Sequence, residues 1–148
     1  MRAAKARIFV DTNIFVYAYD TSAAAKRDAA SAILRRLWAK RNGVLSTQVV
    51  QEFYVAVTRK IPHPLAPETA RAIAADLLLW DTVAIDGAAI LEAIDLQARL
   101  QVSFWDALIV QAALRGRAGI LLSEDFTDGR KIEGLEILNP FKRRVPLD

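Results

Sequence analysis

The chain has 148 residues, of which 53% are apolar and 25% are charged, so it is long and apolar enough to bury one core. It contains no cysteine, which excludes disulfides, thiolate catalysis and cysteine-based zinc sites. The only histidine, His63, stands between two prolines in a predicted loop, which argues against serine–histidine and histidine–metal chemistry. With no run of about 18 apolar residues and no signal-peptide pattern, we expect a cytoplasmic protein without membrane contact.

Short apolar segments alternate along the chain with longer segments of helical periodicity. The predicted strands are 8–10, 44–46, 82–85, 119–122 and 135–138. The predicted helices are 13–19, 23–41, 67–80, 88–100 and 104–114, with one more between Ser46 and Pro62. Asn42-Gly43 is a typical stop for the second helix, and Ser46 or Thr47 can cap the third.

This alternation decides the expected fold class. Strands separated by helices imply βαβ units, a parallel sheet and right-handed crossovers. The sequence has no internal repeat, low-complexity tract or linker. We therefore predict an α/β fold with a central parallel sheet, built as a single domain over residues 1–148.

Four acidic residues fall where a parallel sheet would bring them to one edge. Asp11 and Asp125 each follow an apolar strand, and open α/β sheets bind ligands at the carboxyl ends of their strands. Asp106 begins a helix that returns to the same edge, and Glu52 lies about two turns into the helix after the second strand. We predict that these four side chains share one crevice.

Three of these acids also have an ordinary structural explanation. Asp11 can simply cap the helix that follows it. Glu52 lies on the flank of an apolar helix face, where a glutamate is usually exposed to solvent. Asp125 belongs to an acidic turn, and the adjacent Glu124 fits the predicted site equally well.

Asp106 is harder to explain structurally. It is the only charged residue in the apolar segment 104–114, which reads as a buried helix. A buried carboxylate needs a partner or a metal ion. The structural alternative is a capping box, with Ser103 as the N-cap and Asp106 three residues later.

Crowded carboxylates indicate a metal site. They raise each other's pKa and cannot all ionise unless a cation neutralises them, and oxygen ligands without cysteine or histidine favour Mg²⁺ or Mn²⁺. Such a site binds phosphate oxygens and orients an attacking water. Basic clusters are either solvated faces or contacts for a phosphate backbone, which makes nucleic-acid hydrolysis the natural chemistry. The clusters are Arg35, Arg36, Lys40 and Arg41; Arg59 and Lys60; Arg115 and Arg117; and Lys142, Arg143 and Arg144.

An ordered set of motifs resembles the PIN domain and, within it, the VapC-type toxins of bacterial toxin–antitoxin pairs. The resemblance covers nearly the whole chain. The motifs are VDTN at 10–13, VQEF at 50–53, SFWDALI at 103–109, LLSEDF at 121–126 and LNPF at 138–141. Each is weak alone, whereas the ordered set is fairly specific.

The resemblance implies a three-layer α/β/α fold and a Mg²⁺- or Mn²⁺-dependent endoribonuclease that uses metal-activated water. It implies a catalytic and metal-binding quartet of Asp11, Glu52, Asp106 and Asp125. Asn13 and Ser123 would be polar supports, and Asp128 an additional acid. The partners it implies are an RNA substrate, a cognate antitoxin and a second copy of the chain, for which Trp38 and Tyr54 fit either the core or an interface.

Three alternatives remain. A catalytically silent PIN-like module would bind RNA or protein without cutting, and the complete quartet argues against it. A signalling receiver domain needs adjacent acids after its first strand and a phosphorylatable aspartate after its third, whereas Asp11 stands alone and Asp86 is the only candidate. A plain structural α/β subunit must explain Asp106 in its apolar helix. Metal-dependent cleavage discriminates among them.

Overall fold

The computed structural model describes residues 6–147, so residues 1–5 and 148 of the predicted domain lie outside it. In this part of the chain six strands alternate with six α-helices. The strands are β1 (Ile8–Val10), β2 (Gly43–Ser46), β3 (Asp81–Val83), β4 (Ile120–Leu122), β5 (Lys131–Ile132) and β6 (Leu135–Leu138). The helices are α1 (Thr12–Tyr17), α2 (Ala24–Lys40), α3 (Thr47–Val55), α4 (Pro67–Leu77), α5 (Gly87–Leu100) and α6 (Phe104–Arg115), and a π-helical turn, Ala56–Lys60, continues α3.

The strands form one sheet in the order β3-β2-β1-β4-β6-β5. All neighbouring strands pair in parallel except β5 and β6, which form an antiparallel hairpin. The predicted three-layer α/β/α class with a parallel central sheet is thus confirmed. The two-residue β5 was not predicted, because a strand of that length carries no periodicity.

The core lies where the sheet meets its helices. Every residue of β1 is fully buried, as expected for a central parallel strand covered on both faces. Phe15 of α1, Leu37 of α2 and Phe53 of α3 are fully buried against the same core. No helix among residues 6–147 has both the length and the apolar character needed to cross a bilayer.

The junction between α2 and β2 differs from the prediction. Arg41, rather than the following Asn42-Gly43 pair, takes the left-handed conformation that ends α2, with φ of 57°. Gly43 is instead the first residue of β2, and a Cβ there would overlap the ring of Trp80. This glycine therefore allows a close approach between the strand and an indole ring rather than a turn.

The helix after β2 changes its geometry before it ends. Ser46 caps α3, since its Oγ accepts a hydrogen bond from the Val49 N–H at 3.4 Å. After Val55 the backbone passes into the π-helical turn, in which the Ile61 N–H donates to the Ala56 carbonyl at 3.2 Å. Hydrogen bonds to the fifth preceding residue put more residues into each turn, which changes the side-chain register of the last residues.

Candidate active site

A crevice of about 560 Å³ opens beside the carboxyl ends of β1 and β4. Asp11, Glu52, Asp106 and Asp125 all line it, so the structure brings the four predicted acids to one place. They come from four segments, namely the end of β1, α3, the first turn of α6 and the loop after β4. The topology places them together, because β1 and β4 are parallel neighbours.

Asp11 is the most buried acid of the crevice, with only 4% of its surface exposed. Its Oδ2 accepts a hydrogen bond from the Ser123 hydroxyl at 2.7 Å, and its Oδ1 accepts one from the Thr12 N–H at 2.7 Å. Burial raises the pKa of Asp11 to about 7, against the lowering effect of these hydrogen bonds. The negative charges of Asp125 and Glu52 add to the rise.

Asp125 is held at its side chain and at its backbone. The Asn13 Nδ2 donates to the Asp125 Oδ2 at 2.9 Å, and the buried Ser123 Oγ accepts the Asp125 N–H at 3.1 Å. Desolvation raises the pKa of the Asp125 carboxyl, followed by the charges of Asp106 and Glu124. Asn13 and Ser123, the two predicted supports, therefore contact the acids directly.

The neighbouring Glu124 is directed to a different set of partners. It accepts hydrogen bonds from the Tyr17 hydroxyl at 2.5 Å and from the Lys26 Nζ at 3.0 Å. The Lys26 Nζ also lies 4.7 Å from the ring centroid of Tyr17 and 5.2 Å from that of Phe141. Of the two adjacent acids that the sequence left open, Asp125 lines the crevice, whereas Glu124 forms an ion pair beside it.

Asp106 occupies the first turn of α6 and is partly exposed, so the argument from a fully buried charge was wrong. The deeply buried part of α6 begins at the next residue. Half of the predicted capping box is present, because the Ser103 Oγ accepts the Asp106 N–H at 3.1 Å. Within the described chain no hydrogen bond or ion pair engages the Asp106 carboxylate, which leaves it available to the crevice.

Glu52 is held by Thr12, whose hydroxyl donates to the Glu52 Oε1 at 2.9 Å. One turn earlier on α3, the buried Gln48 donates from Nε2 to the Trp105 carbonyl at 3.2 Å. This bond ties the helix that carries Glu52 to the turn that carries Asp106. Neither contact was predicted from the sequence, although Thr12 lies inside the VDTN motif and Gln48 interrupts an apolar helix face.

Asp128 lies outside the crevice, so the expectation of an additional acid there is not supported by its position. Its carboxylate accepts hydrogen bonds from the Asn139 N–H at 2.8 Å and from the Arg143 guanidinium at 2.8 and 3.1 Å. These bonds, the one from Asn139 first, lower the pKa of Asp128. Asp128 therefore fastens the C-terminal segment to the loop after β4.

The crevice fits a hard divalent cation that has few direct protein ligands. Among residues 6–147 no three acidic or histidine side chains converge closely enough to enclose a metal ion. Mg²⁺ needs no such cage, because it keeps several waters and is usually held by one or two carboxylates together with substrate phosphates. The oxygen donors and the raised pKa values of Asp11 and Asp125 suit this mode, since a cation would relieve their repulsion.

Fold and crevice together describe a class of small α/β proteins with acids at the carboxyl edge of a parallel sheet. The PIN-domain profile matches residues 8–127, and the chain therefore belongs to the PIN-domain family, as its motifs predicted. Comparison with curated proteins gave no significant match.

Solved structures with a similar fold include several toxins of toxin–antitoxin pairs. The Mycobacterium tuberculosis VapC20 toxin, described as cleaving the sarcin–ricin loop, is 21% identical, over 80% of this chain and 89% of its own, with a TM-score of 0.60. VapBC2 from Rickettsia felis, bound to a promoter DNA fragment, is 21% identical over 88% and 96%, with a TM-score of 0.61. A Klebsiella pneumoniae toxin–antitoxin complex is 17% identical over 87% and 94%, with a TM-score of 0.62. At these identities the likeness shows the fold.

Proposed function

We propose that this protein is a metal-dependent endoribonuclease that hydrolyses RNA phosphodiester bonds in the acidic crevice. The supporting observation is that Asp11, Glu52, Asp106 and Asp125, from four separate segments, line the same crevice. Membership of the PIN family, which includes ribonucleases, supports the same reaction. In this proposal the four acids together hold Mg²⁺ or Mn²⁺, one or two of them directly and the others through waters of the ion.

The chain's own groups prepare the site for substrate. Ser123 and Thr12 fix both oxygens of Asp11, and Asn13 fixes Asp125, so the acids need little rearrangement before reaction. A bound divalent cation would supply charge neutralisation, a contact for a phosphate oxygen and an activated water. With a pKa of about 7, Asp11 is partly protonated at neutral pH and would release that proton to bind a cation.

The direct test is cleavage of RNA by the purified chain, free of any co-purifying partner. We expect cleavage with Mg²⁺ or Mn²⁺, none with EDTA, and a loss of about 100-fold or more in Asp11→Asn. Cleavage that survives both EDTA and the substitution would mean a contaminant or a different site. A folded chain that binds the metal but cuts no RNA would favour the silent binding module.

Asp106→Asn separates the metal role from the capping role. Because Ser103 caps α6 through the backbone N–H of Asp106, the substitution leaves that bond in place. We expect loss of Mn²⁺ binding by calorimetric titration and an unchanged circular dichroism spectrum. Collapse of the fold would instead assign Asp106 a structural task.

We also propose that the protein is the toxin of a type II pair and works in the cytoplasm, where its RNA is. Support comes from the neighbours in the Rickettsia felis and Klebsiella pneumoniae structures, which are named as toxin–antitoxin assemblies. A small open reading frame directly before the gene, whose product binds this chain and stops cleavage, is the expected finding. Its absence would weaken the toxin proposal and leave the nuclease proposal standing.

A homodimer is the remaining proposal about partners. On α5, Ile90, Leu91 and Ile94 have 42%, 65% and 48% of their surfaces exposed, an apolar face that a second copy would cover. Trp38 and Tyr54 are each 38% exposed. Light scattering should give twice the chain mass for the wild type and the single mass for Leu91→Glu. A single mass for both proteins would reject the dimer.

A further inference from the structure

The rim of the acidic crevice carries an exposed indole. Trp105 has 62% of its surface exposed, although it directly precedes Asp106 and lines the same crevice. Its ring packs edge-to-face against Phe104, with 5.1 Å between the centroids, and the Gln48 side chain holds its carbonyl. The ring is thus supported from behind on a helix, and it keeps a large free surface next to the acids.

One cation also lines the crevice. Among the lining residues of the described chain only Lys60, the last residue of the π-helical turn, is positively charged. Two of the other predicted basic clusters have carboxylate partners, since Arg115 pairs with Asp86 and Arg143 pairs with Asp128. Lys60 differs from these arginines because it lines the crevice and forms no ion pair with a carboxylate among the described residues.

The π-helical turn contains two adjacent basic residues, of which Lys60 and not Arg59 lines the crevice. In a continuous α-helix residues three and four apart share a face, so Arg59 would follow Glu52 and Val55 on that side. In the π-helical turn residues five apart share it, and Val55 and Lys60 both line the crevice. Lys60 is also four residues after Ala56, which lines the same crevice, so it is in register with both of these lining residues.

We propose that Trp105 and Lys60 form a subsite for single-stranded RNA beside the acids. An unstacked base packs on the free face of the Trp105 indole, and Lys60 pairs with a backbone phosphate. This inference rests on the proposed function and adds to it the form of the substrate. Base stacking on an aromatic ring requires an unpaired base, so the subsite selects single strands and looped segments over duplexes.

Charge favours RNA over a peptide as the occupant of this subsite. Each nucleotide of an RNA strand carries a base, which can stack on the indole, and a negatively charged phosphate, which can pair with Lys60. Because Trp105 directly precedes Asp106, a strand bound through these contacts would lie next to the four acids.

The test measures affinity and cleavage in parallel. Binding is followed by fluorescence anisotropy of a dye-labelled, random-sequence 12-nucleotide RNA, with Ca²⁺ in place of Mg²⁺, against a hairpin duplex of equal charge. We expect Trp105→Ala to weaken single-strand binding about 10-fold or more, and Trp105→Phe to weaken it much less. Lys60→Ala should weaken binding and make the slope of log Kd against log salt shallower by about 0.7, the value of one phosphate contact on a single strand.

Matched controls make these effects specific. Arg59→Ala removes the same charge one residue away and should leave Kd and the salt slope within about two-fold of wild type. Tyr54→Ala removes an exposed aromatic ring of α3 that does not line the crevice. Quenching of indole fluorescence by the RNA should disappear in Trp105→Phe, a readout that a merely structural role for Trp105 would not produce.

The outcomes are distinguishable. If wild type binds and cuts RNA while the Trp105 and Lys60 variants, folded by circular dichroism, do the same, the subsite is wrong and the nuclease proposal stands. If wild type neither binds nor cuts any RNA, both proposals fail. If the variants keep RNA affinity but lose a protein inhibitor, the surface binds protein and the subsite assignment is overturned.

Discussion

The loop after β4 has two sides, which differ in whether their carboxylates have cationic partners within the chain. On its outer side Glu124 pairs with Lys26 and Asp128 pairs with Arg143, so each carboxylate has a cation of the chain itself. On its crevice side Asp125 faces Asp11 and Asp106, and its donors are neutral groups. The pKa of Asp128 is accordingly lowered and that of Asp125 raised.

This difference distinguishes acids that stabilise the fold through ion pairs from acids that are available to bind a cation from solution. Basic residues lie within reach of the outer side, whereas none pairs with the crevice acids in the described residues. Burial first, and then repulsion between the acids, disfavours the charged form of Asp11 and Asp125, so their ionisation in the folded state lowers its stability. A bound cation would reverse that cost, which links metal binding to stability.

The largest expected effect on RNA cleavage comes from replacing the two adjacent acids, one at a time, by their amides. Asp125→Asn should reduce metal-dependent RNA cleavage about 100-fold or more, since it removes a crevice carboxylate. Glu124→Gln should reduce it by less than about five-fold, because it affects the ion pair with Lys26. Initial rates at saturating Mg²⁺ decide the matter, and equal losses in the two variants would erase the distinction between the two sides.

The pH dependence of the free energy of unfolding should also distinguish the crevice acids from the acids on the outer side. The folded pKa of Asp11, about 7, exceeds its ordinary value near 3.8, so the folded state retains a proton that the unfolded state releases between these values. In EDTA, wild type should therefore lose stability relative to Asp11→Asn as the pH rises from 4 to 7, by on the order of 4 kcal/mol.

Urea denaturation of both proteins at pH 4, 6 and 8 measures this difference. The two stabilities should converge near pH 4, and Mg²⁺ should narrow the gap at pH 8. A constant difference at all three pH values would show that the Asp11 carboxyl titrates normally in the fold.

A smaller effect is expected from Ser123→Ala, which cuts the link between the two crevice aspartates. The substitution removes the donor to Asp11 and leaves the Asp125 N–H without its acceptor. We expect a loss of about 1–3 kcal/mol in the free energy of unfolding, together with weaker Mn²⁺ binding. Ser22→Ala, at an exposed turn, is the control. Unchanged metal affinity would contradict a supporting role for Ser123.

The smallest effect is expected on the outer side. Asp128→Asn should lower Tm slightly by weakening its bonds to Arg143 and to the Asn139 N–H, with cleavage unchanged. Because the pKa of Asp128 is lowered in the fold, this stability is present above its ordinary pKa and is lost as the pH falls. A large loss of cleavage would bring Asp128 back into consideration as a site residue.

The parts of the fold that the sequence predicted are those in which local pattern and burial agree. The apolar strands β1 and β4 are recognisable because both faces are buried, and an acid directly after such a strand lies at the carboxyl edge by geometry alone. Ser46 and Ser103 cap their helices as expected from the residues that follow them. Asp11, Asp106 and one acid of the Glu124–Asp125 pair could thus be placed at this edge from the sequence.

What the sequence did not reveal depends on contacts between distant segments. The choice between Glu124 and Asp125 is made by Lys26, about 100 residues earlier in the chain, and the position of Asp128 by Arg143. The π-helical turn that contains Lys60 leaves no recognisable pattern in the sequence. Gln48 likewise acquires its partner only when α3 and α6 pack together.

Both edges of the sheet are short, which affects how the molecule meets others of its kind. The edge strand β3 has three residues and begins with Asp81, which is ion-paired to Arg7, and the edge strand β5 has two residues and begins with Lys131. Short, charged edges offer little unpaired backbone for another chain to extend, so strand-by-strand aggregation is disfavoured. A second copy of the chain would therefore have to bind through helical surfaces, where side chains rather than backbone hydrogen bonds determine the partner.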